Sequence, residues 1–181
     1  MPSWGDRLRR AVRRGAAPPS PADVYAGLRS IALRVDPATL TLTSGESWSG
    51  AFVAMMEIGL AKGVASFVAI ADGTVSMYTS VGGGVIGAGA HASVRASAAR
   101  FRTVAGETRG LLERSMDFPL PEQGQVRFQV RTADGDYSGA APENVLRAGR
   151  HSFSRLYEAG QDLVTEIRLS TPAAMFRESS R

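Results

Sequence analysis

The stretch AFVAMMEIGLAKGVASFVAIADGTVSMYTS, residues 51–80, decides the fold. It holds three apolar runs, at 51–60, 64–71 and 74–80, separated by Lys62-Gly63 and Asp72-Gly73. Each run has the length of a strand and is too short for a helix. Asp-Gly between apolar runs signals a hairpin, because both central residues of a type I′ turn need positive φ. The stretch therefore predicts a three-strand antiparallel meander. Glu57 is the one charge in its first run and shares a strand face with Val53 and Met55. We expect it to point to solvent at the strand end; burial would raise its pKa and suit it to be a general base.

Downstream, SVGGGVIGAGAH at 80–91 leads into a helix expected over about 91–115. Val94, Ala98, Phe101, Ala105, Thr108 and Leu112 form its buried stripe. Arg95, Arg102 and Arg109 recur every seven residues on the other side, with Glu113 four beyond, and read as a solvated face with local ion pairs. Gly106 and Gly110 each cost about 1 kcal/mol inside a helix. They mark either a close approach to the sheet or a second subunit, or a break near Gly106. DFPLPEQG at 117–124 is a loop, and QVRFQVRT at 125–132 alternates as a strand. ADGD at 133–136 turns the chain into a short strand, YSGAA, followed by one turn of helix or loop at 142–149 and a helix at about 152–168.

Upstream, Ser20 is suited to cap a helix at about 21–34, with Pro21 in its first position and Asp23 at the positive end of the dipole. Its apolar face reads as Val24, Leu28 and Ile31, with Tyr25 and Ala32 beside it. Asp36-Pro37 ends it. ATLTLTS at 38–44 alternates like an exposed edge strand, and 44–50 is a loop. The result is an α+β fold: an antiparallel sheet of about five strands, meander plus hairpin, packed by a long central helix and by N- and C-terminal helices. This element order resembles that of the roadblock, longin and profilin group of small sheet-plus-helix modules. The resemblance implies a dimerising interaction module and transfers no site residue.

Length and charge divide the chain. Its 181 residues suit one domain, expected at 21–169, between a basic arm with a Pro-rich linker at 1–20 and a C-terminal tail at 170–181. Residues 1–15 hold five arginines (Arg7, Arg9, Arg10, Arg13, Arg14) against Asp6, which accounts for the whole net charge of +4. The remainder is neutral, so no sequence-specific nucleic-acid binding is expected. One lysine among 21 basic residues, with abundant Ala and Gly, fits a GC-rich bacterial genome. Trp4, Leu8 and Val12 recur every four residues among the arginines, as in a short amphipathic helix. Trp4, Arg7, Arg9, Arg10, Arg13 and Arg14 are accordingly candidates for an arm that meets an anionic surface or a partner, against the alternative of a solvated terminus. No run is long and apolar enough to span a bilayer, and no apolar segment follows the basic start, so a cytoplasmic location is expected.

The chain has no cysteine and two histidines, His91 and His151, which argues against thiolate zinc sites and a His-rich metal site. No cofactor or metal is expected. GGGVIG at 82–87 matches G-x-G-x-x-G between a strand and a helix. The preceding strand, however, is the second arm of a tight hairpin and not part of a parallel βαβ unit. The Lys and hydroxyl of a P-loop are missing too. Two readings remain: a packed strand-to-helix connection with Val85 and Ile86 plugged inward, or a ligand loop for an anion or nucleotide. The second makes Gly82, Gly83, Gly84, Gly87, Gly89 and His91 the candidate ligand-binding residues. His91, His151 and Glu57 form the weakest candidate, an acid–base set; no G-x-S-x-G elbow occurs, and ADGD is too short for a calcium loop. The expected function is a non-enzymatic cytoplasmic interaction or adaptor module, self-associating and tethered by its basic arm. A small-ligand binding protein or sensor using the Gly82–Gly89 loop is the alternative.

Overall fold

The computed structural model describes residues 18–40 and 50–171. In chain order they form α1 (Pro21–Leu33), β1 (Val53–Gly59), β2 (Val64–Ile70), β3 (Val75–Thr79), β4 (Gly84–Ile86), α2 (Ala92–Thr108), β5 (Glu113–Arg114), β6 (Gln125–Thr132), β7 (Gly135–Pro142), α3 (Glu143–Arg147) and α4 (Ser154–Ser170). The fold is α+β. One antiparallel sheet of seven strands runs in the order β4-β3-β2-β1-β6-β7-β5.

The meander and the β6–β7 hairpin stand where the turn signals put them, but the turn at Asp72-Gly73 is not type I′: only Gly73 takes a positive φ, +85°, and Asp72 does not. The expectation of about five strands was low, because two short strands lie in segments read as loop or helix. Gly84–Ile86, inside the glycine stretch, pairs with Ser76–Tyr78. Glu113 and Arg114 pair with Ser138 and Tyr137. α2 ends at Thr108, short of the expected 115, and a 3-10 turn at Arg109–Leu111 takes the chain into β5. The reading of 38–44 as an edge strand fails at its start, where Pro37–Thr39 is a 3-10 turn; residues 41–49 lie outside the described residues.

Every residue of β1 and β2 is buried, which is why both read as unbroken apolar runs. On one face Ala54, Met56, Phe67, Phe128 and Val130 pack under α2 and α4. On the other, Val53, Met55, Val68 and Ile70 pack under α1. α2 and α4 run antiparallel, since Arg100 pairs with Asp162 at 3.2 Å and Glu107 with Arg155 at 2.8 Å. Gly106 marks a close approach: a Cβ there would lie 2.7 Å from Gly50 Cα.

α1 begins as its capping signal predicts. Ser20 Oγ accepts from the Asp23 N–H at 3.2 Å, and the Ser20 N–H donates to Asp23 Oδ2 at 3.1 Å. Its buried face is not the expected one. Tyr25, Ala32 and Leu33 are buried, while Ile31 is 49% exposed and Val24 and Leu28 are half-buried. The seat of the helix is set by Tyr25 and Arg29, which reach a polar group on the sheet.

Candidate functional site

That polar group lies on a cross-strand row. Alternation along each strand aligns Arg127, Glu57, Ser66, Tyr78 and Gly84 on the α1 side of β6, β1, β2, β3 and β4. Glu57 is 0% exposed, which overturns the expectation of a solvent-facing carboxylate. Arg29 Nε donates to its Oε1 and Arg29 Nη2 to its Oε2, both at 2.8 Å, a bidentate pair. Ser66 Oγ donates to Oε1 at 2.9 Å, and Tyr25 O–H lies 2.9 Å from Ser66 Oγ and 3.3 Å from Oε1. Arg29 Nη2 also donates to Phe118 O at 2.7 Å, tying the 115–124 loop to the same point.

With these donors around it and no exposure to solvent, the carboxylate acts as a clamp for α1. Tyr25 and Arg29 are four residues apart and so share one helix face. This spacing places the two together but names no carboxylate beneath them, so the sequence carried no signal for the pairing.

Burial, then the Glu57 charge, push the Tyr25 phenol up to about 12. The same two causes, in the same order, raise Tyr78. A phenol whose folded pKa is raised contributes stability that is complete below its unfolded value of about 10 and is lost as pH climbs. Stability is therefore expected to fall between pH 10 and 12. Tyr25→Phe should flatten that fall in urea titrations at stepped pH, and an unchanged slope would show that Tyr25 ionises freely in the folded chain.

Beside the row, α1 and the glycine turn flank an open cleft of about 400 Å³. Pro21, Val24 and Leu28 form one wall, and Tyr78, Gly83 and Ile86 stand opposite, with Pro19 on the same rim. The lining is apolar and carries no charged side chain among the described residues. Tyr78 is 4% exposed, yet its hydroxyl has no partner among the described residues.

Of the glycine-stretch candidates, Gly82, Gly83 and Gly84 line this cavity. Gly87 borders open space at φ +82°, and Gly89 is packed under the 72–74 turn. His91 is exposed in front of α2, and its side chain makes no cap hydrogen bond. Val85 faces the larger core as expected, whereas Ile86 points the other way and is 64% exposed.

The acid–base set does not assemble. His91 precedes α2 and His151 precedes α4, so antiparallel packing sends the two to opposite ends of the helix pair. At 1.5 Å per residue, a 17-residue helix separates them by about 25 Å. His151 Nδ1 accepts the Phe153 N–H at 3.1 Å. Arg95 and Arg109 of the basic stripe donate to the carbonyls of Gly89 and Gly106, and Arg109 pairs with Asp134 at 3.4 Å. In the ADGD turn, Asp136 holds Arg131 at 3.0 Å. No cluster of potential metal ligands occurs among the described residues, and none of their helices is long and apolar enough to cross a membrane. The arm candidates Trp4, Arg7, Arg9, Arg10, Arg13 and Arg14 lie outside the described residues.

No protein-family model matches the chain, and no curated protein matches it.

Proposed function

We propose that the protein is a non-enzymatic cytoplasmic interaction module that self-associates, is tethered by its basic arm, and uses the α1 cleft with the adjoining sheet edge for recognition. The observation that carries this reading is Ile86. It is 64% exposed on β4, the terminal strand of the sheet, and at the same time forms part of the cleft wall. β4 turns Gly83, Val85 and Gly87 toward β3, as the Thr79–Gly83 and Gly87–Val75 bonds show, so Gly84 and Ile86 present their N–H groups outward. No strand among the described residues covers this edge, and such an edge with an apolar side chain beside it is a template for another strand. The resemblance that the sequence bears in its order of elements to roadblock, longin and profilin modules is an analogy that favours the same reading.

A second reading, a small-ligand binding protein, draws on Tyr78. A cavity of about 400 Å³ is within the range of small-molecule sites, and a buried hydroxyl without a partner calls for an acceptor or donor. The apolar lining favours a neutral molecule over the anion or nucleotide class.

Native mass spectrometry of the full-length protein separates the two. The first reading expects dimers without added mass, and Ile86→Lys, a charge on the edge strand, is expected to weaken them about tenfold or more. A monomer carrying a small added mass would replace the first reading by the second.

A further inference from the structure

We propose that the cleft beside α1 is covered by the chain's own N-terminal segment, residues 1–17, with Trp4 as the side chain that fills it. The inference rests on the cleft being a recognition surface and adds the regulation of that surface.

The first argument is where that segment joins the fold. The described chain starts at Pro18, and Pro19 and Pro21 are rim residues of the cavity. The 17 preceding residues therefore enter at the cleft's mouth. Trp4 is 15 positions before Pro19, and extended chain covers about 3.3 Å per residue, so it reaches the cavity with length to spare. A tether this short gives an effective concentration of about millimolar, enough for a weak contact to be populated.

The second argument is chemistry. The lining of Val24, Leu28, Ile86 and prolines takes an apolar group and offers nothing to a charged one. The segment's apolar residues, Trp4, Leu8 and Val12, recur every four positions, so one side of it can be buried while the arginines stay in water. Trp4 supplies the large aromatic surface that a cavity of about 400 Å³ can hold, and Leu8 or Val12 can cover the exposed Ile86.

A consequence follows for the tether. Trp4 cannot lie in the cleft and in an anionic surface at once. Capture of the arm by such a surface would uncover the cleft, and occupation of the cleft by a partner would free the arm. The two events are linked through one side chain.

The test uses the full chain with Trp48→Phe, which leaves Trp4 as the one remaining tryptophan of two. Emission from Trp4 is expected to be blue-shifted and shielded from acrylamide at the low protein concentrations where the chain is monomeric. Val24→Phe, which fills the cavity from α1, should return it to a solvent-like spectrum. Solvent-like emission in the parent, or a blue shift indifferent to Val24→Phe, overturns the proposal. So does a shift that disappears on dilution, because the segment would then sit in a second copy.

The neutral dye Nile red tests the cleft itself. Trp4→Ser is expected to raise dye binding about tenfold, as befits loss of a tethered competitor. Val24→Phe should abolish the gain. Equal binding to parent and Trp4→Ser chains overturns the cover and leaves the cleft reading intact. No binding to either removes the cleft as a recognition surface, and the cover with it.

Discussion

Truncating Arg29 to alanine is expected to destabilise the protein by about 3–5 kcal/mol, the cost of leaving a buried charge without its partner. For a chain of this size that is a fall in melting temperature of about 10 °C or more. Glu57 is 0% exposed, and both its oxygens lean on the guanidinium at 2.8 Å. Ser66 and Tyr25 remain as neutral hydrogen-bond partners, which cannot balance a full negative charge in an apolar setting. The companion double variant, Arg29→Met with Glu57→Leu, is expected to lie close to wild type, because the desolvation cost of the pair is removed along with its attraction. Urea unfolding of both single variants and the double variant closes the cycle. An Arg29→Ala protein within about 1 kcal/mol of wild type would mean that water reaches Glu57 and that the clamp is not what seats α1. The effect extends to function, since Val24 and Leu28 hold one wall of the cleft from the same helix.

Gly84→Val is the second large effect, a loss of about 3 kcal/mol or more with collapse of the glycine-turn wall. Gly84 sits at φ +149°, and a Cβ there would meet Met77 O at 2.3 Å and Tyr78 Cα at 2.7 Å. Those are backbone atoms of the paired strand, so relief requires β4 to leave β3. Thermal unfolding should show the loss, and the cleft should lose its affinity for an apolar probe together with it. Gly87→Ala is the control. It shares a positive φ, +82°, but faces open space, so it is expected to cost about 1 kcal/mol of backbone strain and leave the cleft unchanged. If Gly84→Val melts with wild type, β4 does not pair as described. The contrast also bears on the glycine stretch as a motif: at Gly84 the missing side chain is required by the sheet before any ligand is considered.

What was legible in the sequence follows the range of the interactions involved. The three strands of the meander were legible because Lys62-Gly63 and Asp72-Gly73 set the hairpins locally and the runs between them are buried on both faces. The start of α1 was legible from Ser20, Pro21 and Asp23, because a capping box closes within four residues. The stripe of α2 was legible for the same reason: Val94, Ala98, Phe101 and Ala105 are all buried. β4 and β5 were not. Three and two residues long, they carry no periodicity and exist because a neighbouring strand offers an edge.

The candidate site divides along the same line. Gly82, Gly83 and Gly84 stood out in the sequence and do line the cavity, but Gly87, Gly89 and His91, picked with them by proximity in the chain, do not. The residues that complete the site, Val24, Leu28, Tyr78 and the rim prolines, had no motif to announce them. By itself the sequence determined the α+β class, the meander, the cap of α1 and the uneven distribution of charge, since each depends on neighbours a few positions apart. Only the tertiary structure decided that α1 turns Tyr25 and Arg29 inward and leaves Ile31 out, that Glu57 is buried, and that a cleft opens at the sheet edge. The first two meet in a pairing across 28 positions, Arg29 with Glu57, which only the assembled fold brings together and buries.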